Sequence, residues 1–256
     1  MPLPSSGTLT LAQIQTEFGG SNPISLSEYY KGGGLVPNTP TNVNIPTSGT
    51  ISVSNFYGGS NVVFTPTLST RTGGSGTETV PTGATNVLIK VSGGGGGGGL
   101  GATINGGGGG GGGGYAERSI AVTGGQTMSY AVGGGGAGRT TTAGNGTAGG
   151  TSTVTGTVAG GSINMSASGG ATTTATGAIG GAGGGASGGT TNVTGGAGEN
   201  RDGTISGFGG SSQLAAGGSP PSGTGGVPGG GGAGGAIDTD IESGAGGRGE
   251  VSFYYT

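Results

Sequence analysis

Few residues in this chain have the types and spacing that covalent chemistry needs. Gly185-Ala186-Ser187-Gly188-Gly189 fits the G-x-S-x-G pattern of a nucleophile elbow, where a tight turn exposes a serine to a histidine base. With 76 glycines such a match is expected by chance, and there is no histidine to complete a triad. There is no cysteine either, which removes thiol catalysis, disulfides and zinc–thiolate sites. Matches to G-x-G-x-x-G recur without a βαβ unit and carry no nucleotide-binding meaning. Gly195–Asn200 approaches a calcium-binding nonapeptide repeat but lacks its aspartate. Asp238-x-Asp240-x-Glu242 gathers three carboxylates of the kind that hold a hard cation, but a solvated acidic loop is the simpler reading. The sequence therefore predicts no catalytic residue, no metal and no cofactor. What remains is binding.

Composition supports that reading. Of 256 residues, 29% are hydrophobic, 5% aromatic and 7% charged. A conventional core draws on an apolar share nearer 45–50%, which argues against an ordinary enzyme domain. Disordered chains are rich in charge, and this chain is not. A net charge of −3 offers no basic face for nucleic acid. No apolar stretch approaches the ~20 residues that span a bilayer, so no membrane insertion is expected. Met1–Ser6 has neither a basic segment nor an apolar one, so no secretory signal is expected there.

Two regions must position whatever binds. Residues 1–92 hold 13 of the 76 glycines and the remaining positions hold 63. The expected division is an N-terminal repeat module, 1–60, and a glycine-rich domain, 61–256. In the module, Pro4-Ser5-Ser6-Gly7-Thr8-Leu9 reads against Pro46-Thr47-Ser48-Gly49-Thr50-Ile51, and Ile24–Tyr30 reads against Ile51–Tyr57. Thr10-x-x-Gln13 is a capping box, after which Leu11, Ile14 and Phe18 fall on one helical face until Gly19-Gly20 stops the helix. Ser25-x-x-Glu28 caps a second short turn carrying Tyr29 and Tyr30. Pro37, Pro40 and Pro46 read as an extended linker between repeats. Such short elements must stack on something: on one another, or on a partner chain. The preferred reading is docking, through Leu11, Ile14, Phe18, Tyr29, Tyr30, Phe56 and Tyr57.

From Asn61 the pattern turns to strands. Val62-Val63-Phe64 opens one; others are expected near 86–92, 115–122, 127–132 and 250–255, forming one small β platform. Contiguous glycine runs leave it in pairs, as in Gly93–Gly99 and Gly106–Gly114 around Leu100–Asn105. Collagen is excluded, since glycine does not recur at every third position with abundant proline. A flexible linker predicts neither flanking strands nor matched runs. The ordered alternative is a bundle of polyglycine-II helices, each rising ~3.1 Å per residue, so that seven to nine glycines span roughly 22–28 Å. Neighbouring helices then satisfy one another's backbone groups. Ala182, Ala233 and Ala245 are tolerable where a helix faces outward. Counting passes puts Leu100–Asn105, Arg139–Ala143 and 236–243 at the far tip and Ser219–Pro228 near the platform; 151–218 stays unassigned. The fold class is thus mainly β and irregular: a small repeat module, and a β platform bearing a polyglycine-II bundle with exposed tip loops.

The glycine-rich body resembles the corresponding domain of bacteriophage tail-fibre proteins, through VLIKVSGGGGGGG, GGGGGGGGGYAERSIAVTGGQTMSYAVGGGGAG and a closing GGRGEVSFYY. It is similar in design to the distal adhesins of T-even-type phages. The resemblance implies a polyglycine-II sandwich whose tip loops bind host outer-membrane proteins or surface glycans. The N-terminal PSSGTLTLAQIQTEFGG and PTSGTISVSNFYGG look like short modules common in phage structural proteins. The expectation is a non-enzymatic virion protein, exposed to the medium, that serves as the receptor-binding adhesin at a tail-fibre tip. Its receptor contacts would be Leu100, Ile104, Asn105, Arg139, Ile237, Asp238, Asp240, Ile241 and Glu242. Its partners would be other tail or fibre proteins, through the N-terminal module, and a host surface protein or glycan. Two rivals stand beside it. One is a non-adhesive virion structural or decoration protein. The other is an ice-binding protein, prompted by the threonine-rich segments Thr151–Val158 and Ala171–Thr176.

Overall fold

The computed structural model describes residues 2–102, 105–174, 177–236 and 242–256. One unit runs to Pro66 and includes Pro81–Thr85 and Thr256; the other holds Thr67–Val80 and Asn86–Tyr255.

In the first unit, helix α1 (Leu11–Phe18) begins at the expected capping box, with Thr10 N–H donating to Gln13 Oε1 at 2.8 Å. Gly19 ends it at φ 81°, a conformation that favours glycine, and its N–H donates to the Gln15 carbonyl. Ile14 and Phe18 are buried, but Leu11 is 38% exposed. Phe18, Tyr29 and Phe56 meet with ring centroids 6.1 to 6.4 Å apart, and Leu3, Val36 and Ile45 complete the cluster. The two P-x-S-G turns are engaged alike. The Tyr57 hydroxyl donates to the Gly7 carbonyl and the Tyr30 hydroxyl to that of Gly49. Gly58 N–H donates to Pro4 O, and Lys31 N–H to Pro46 O. The repeats close on one another.

This corrects two expectations. Ile14, Phe18, Tyr29 and Phe56 line the unit's own interior and are not available as a docking surface; their burial satisfies the stacking requirement internally. Tyr30 and Tyr57 are half-buried, with their hydroxyls engaged. Nor is the proline segment a linker. Pro40–Asn42 forms a 3-10 turn, and buried Asn42 donates to Pro37 O and Ser60 O while accepting from Ser60 N–H. Among the described residues Val62-Val63-Phe64 pairs with no strand, and Val62 and Val63 lie exposed.

In the second unit the strands are β1 (Thr67–Arg71), β2 (Ser75–Thr79), β3 (Asn86–Ser92), β4 (Leu100–Gly101), β5 (Tyr115–Ala121) and β6 (Thr127–Ala131). They continue as β7 (Ser152–Val158), β8 (Gly161–Ala167), β9 (Ala186–Ser187), β10 (Thr191–Val193), β11 (Gly235–Ala236) and β12 (Glu250–Tyr255). Two five-stranded antiparallel sheets, ordered β1-β12-β3-β5-β10 and β2-β6-β7-β8-β9, face each other. Strict alternation drives this. Val87, Ile89 and Val91 on β3 and Val251, Phe253 and Tyr255 on β12 point inward. They meet Met128, Val154, Ile163 and Met165 of the other sheet. The expected single platform is thus a two-layer sandwich, enlarged by β1, β2 and the β7–β8 hairpin.

The strands meet the glycine runs at one end of the sandwich. Runs 93–99 and 106–114 leave β3 and return to β5; 133–138 and 145–150 join β6 to β7; 168–173 and 180–185 join β8 to β9. Runs 195–199 and 207–211 follow β10, and 229–235 and 243–249 lead back to β12. Partners along a run rotate with a period of three. Gly93, Gly96 and Gly99 donate to Gly114, Gly111 and Gly108; Gly94 and Gly97 to Gly150 and Thr147; Gly95 and Gly98 to Gly247 and Gly244. Each central run therefore touches several others through backbone alone. A Cβ on Gly97 would lie 2.0 Å from the Ala137 carbonyl oxygen, and one on Gly98 2.0 Å from that of Ala233. Only hydrogen fits there.

Two details differ from the pass count. Residues 216–218 and 223–226 make an extra short excursion, in which Ala233 N–H donates to Gly223 O and Gly218 N–H to Gly231 O. Its turn, Ser219–Ser222, therefore lies away from the sandwich, and only Pro228 returns to it, accepting from Ser212 Oγ at 2.6 Å. The same excursion covers run 229–235, so Ala233 is fully buried and does not face outward. Ala182 is exposed, as expected.

Candidate functional site

The far end of the bundle gathers turns from distant parts of the chain, tied by backbone bonds. Leu100 and Gly144 exchange N–H···O bonds of 2.9 Å, and β4 pairs in parallel with β11. Asn145 Oδ1 accepts from Gly177 N–H at 2.7 Å; Arg201 N–H donates to Ala178 O, and Gly106 N–H to Gly203 O. Ser243 N–H donates to Arg139 O at 2.9 Å, and its hydroxyl accepts from Arg139 N–H at 2.6 Å and donates to Gly98 O at 2.8 Å. Ser243 is thus a buried pin between a loop and the central run.

Beside that pin lies an open cleft of about 560 Å³. Hydroxyls of Thr140, Ser222 and Thr224 and the Glu242 carboxylate line it. Ser222 has φ 134°, the one positive φ outside glycine among the described residues, a strain of ~1–3 kcal/mol held by its surroundings. The Arg139 guanidinium is exposed and donates to Thr142 Oγ1 at 3.0 Å. A cleft with hydroxyls, a carboxylate and a nearby guanidinium can form directional hydrogen bonds. Among the described residues no group of three His, Cys, Asp or Glu side chains gathers to hold a metal.

Of the residues expected at the tip, Arg139 and Glu242 are exposed and Asn105 is half-buried. Leu100 is 2% exposed and cannot serve as a surface contact. Its backbone is strapped on two sides, to Gly144 and to β11, and its side chain is buried. Ile104, Ile237, Asp238, Asp240 and Ile241 lie outside the described residues. Two further segments stand at this end, in the stretch 151–218 that the pass count leaves unassigned: Thr174 bridged to Ile179, and 200–206, with Ile179 48% and Ile205 64% exposed. Extending the count through 151–218 would have found them, since Gly180–Gly185 and Gly207–Gly210 are return runs. Ser187, of the G-x-S-x-G match, sits on strand β9 opposite Ser166 and not at a strand-to-helix turn.

Residues 69–256 match the model of the glycine-rich domain. The chain belongs to the glycine-rich domain family. That domain begins within β1 and takes in the sandwich, the bundle and its far-end turns. Comparison with curated proteins finds no match.

The domain carries a second notable surface, the outer face of sheet β2-β6-β7-β8-β9. Cross-strand register lines up Thr77, Ser129, Thr155 and Asn164 in one row, and Ser75, Ala131, Thr153, Ser166 and Ser187 in the next. Threonine, serine and asparagine side chains, with one alanine, therefore form mixed rows across strands ~4.8 Å apart.

Proposed function

We propose that the chain is a non-enzymatic virion component, the receptor-binding adhesin at a phage tail-fibre tip, in which polyglycine-II helices hold loops out toward the host cell. The single observation that carries this reading is the convergence of far-end turns on a backbone-bonded glycine bundle. The threefold rotation of hydrogen-bond partners fits a helix of three residues per turn. Clearances that admit only hydrogen fit side-by-side polyglycine-II packing. Such a scaffold orders the loops before contact, which lowers the entropic cost of binding. Arg139, Thr140, Glu242 and exposed Ile179 and Ile205 are the contacts offered to a host surface protein or glycan. The N-terminal module joins other tail or fibre proteins. Exchange of 139–144, 174–179 and 200–206 between related phages tests this. Host range travels with the loops if the reading holds; host range that stays with the backbone donor overturns the tip assignment, and a decoration role then takes precedence.

A second reading, ice binding, draws on the hydroxyl rows of the β2-β6-β7-β8-β9 sheet. A thermal-hysteresis assay on Thr155→Lys beside the unaltered chain decides it: hysteresis abolished by the lysine supports it, and no hysteresis in either excludes it.

A further inference from the structure

The outer face of the first sheet carries an arrangement that the tip loops do not explain. Register places Leu68, Tyr254 and Leu88 side by side on β1, β12 and β3. The next row, toward the glycine runs, is Thr70, Ser252, Lys90 and Glu117. Beyond it stand Glu250, Ser92 and Tyr115, with Leu214 closing that side of a groove of about 400 Å³. That volume lies within the ~300–1,000 Å³ of small-ligand sites.

The groove grades from apolar to polar over the width of a few residues. An outward strand face ordinarily carries polar side chains, yet Leu68 is 64% exposed and Tyr254 42%, and Leu214 in the loop beside them is 47% exposed. In the adjoining row Lys90 Nζ lies 3.6 Å from Glu117 Oε2. That same oxygen accepts from the Tyr115 hydroxyl at 2.6 Å, which fixes the carboxylate. The cation and carboxylate are held as a pair.

Each class of occupant makes a different demand on this surface. A purely apolar protein face would strip water from the Lys90–Glu117 pair and return no hydrogen bonds, which costs more than the pair's attraction repays. A polyanion would meet the carboxylates of Glu117 and Glu250. A pyranose ring suits both halves. Its C–H face is apolar and lies flat on an aromatic ring, while its hydroxyls point to the rim and both donate and accept.

We propose that this groove binds a neutral pyranose chain, with Tyr254 as the stacking platform, Leu68 and Leu88 flanking it, and Lys90 and Glu117 receiving the ring hydroxyls. The site stands on the sandwich and rests on its own residues, independently of the tip-loop reading. The chain would then hold a sugar polymer along its side.

Saturation-transfer NMR of the full chain with maltohexaose, chitohexaose and dextran oligomers tests this. At least one should receive transfer on its ring C–H protons, with backbone amide shifts confined to 68–70, 88–92, 115–117, 214 and 250–254. Tyr254→Ala should weaken that binding about tenfold or more, and Tyr254→Trp should retain it. Both Tyr254 variants should melt with the unaltered chain, and Thr123→Ala, in the exposed loop after β5, should bind the sugar unchanged. No transfer to any of the three sugars, shifts elsewhere, or binding indifferent to Tyr254→Ala overturns the site. Self-association in sedimentation that Tyr254→Ala abolishes also overturns it, by giving the face to a second copy of the chain.

Discussion

The sandwich and the glycine bundle of one unit meet the same requirement in opposite ways. Each must leave no buried N–H or C=O unpaired. The sandwich pairs them within its sheets and fills the space between with Val87, Ile89, Met165 and Phe253, so cohesion comes from side chains removed from water. The bundle pairs them between runs and fills the space with backbone alone, so runs approach until a Cβ would collide with a neighbouring carbonyl. A chain with only 29% hydrophobic residues can therefore build a large ordered unit. It concentrates its few buried apolar side chains between the two sheets and in the core of the N-terminal unit, and in the bundle hydrogen bonds take their place.

The contrast can be broken at several points. The largest effect belongs to the sandwich: Phe253→Ala should cost about 3–5 kcal/mol in guanidinium unfolding. A loss under about 1 kcal/mol would mean that side-chain burial does not hold the sheets. Next comes the bundle, where Gly97→Ala, a gain of one methyl, should cost about 3 kcal/mol because the obstructing atom is the Ala137 carbonyl. An unchanged melting curve for that variant would dissolve the distinction drawn above. A smaller effect sharpens the sandwich side through pH. Burial pushes the Tyr255 and Tyr115 hydroxyls well above their usual value of 10.0, helped by hydrogen bonds to Glu78 and Glu117. Above about pH 10 the unfolded chain gives up these protons while the folded chain keeps them. Stability is therefore full below that pH and falls as pH rises past it. Tyr115→Phe should flatten the fall in a pH series of melting temperatures, and an unaltered slope would separate these hydroxyls from alkaline unfolding. The smallest effect completes the pair begun at Gly97. Gly134, also in a glycine run, has open space where a Cβ would point, so Gly134→Ala should change stability by no more than about 0.5 kcal/mol. If both alanines cost the same, close backbone approach is not what demands glycine.

Much of this was legible, and the reason differs by element. Strands 86–92, 115–122, 127–132 and 250–255 stand within a residue of where alternation placed them, since half-buried strands write their period into the sequence. The Thr10–Gln13 capping box is local chemistry and needs no tertiary context. The β7–β8 hairpin was missed because its inward residues, Val154, Ile163 and Met165, alternate with Thr, Ser, Asn and Gly and read as low complexity. Its signal was present in Ile163-x-Met165-x-Ala167 after the Gly160-Gly161 turn. The tip was readable as far as matched runs allowed, and the excursion at 216–226 escaped because two-glycine pieces do not stand out. Leu100 reads as a surface residue in the sequence and is buried in the fold, because position in a turn says nothing about which side chains the neighbouring turns cover.

What the sequence alone determined is the inventory: no thiol or imidazole chemistry, too few apolar residues for a conventional core, strands of readable period, and glycine runs paired around turns. These follow from composition and local stereochemistry, which act within a few residues. Tertiary structure alone decided which runs become neighbours, hence which glycines admit only hydrogen and which alanine lies inside. It alone aligned hydroxyl side chains of five strands in mixed rows, set Tyr254 between Leu68 and Leu88 in the row next to Lys90 and Glu117, and sent Ile14, Phe18, Tyr29 and Phe56 inward. The physical reason is that register and packing are contacts between residues distant in the chain, and no local preference encodes a partner.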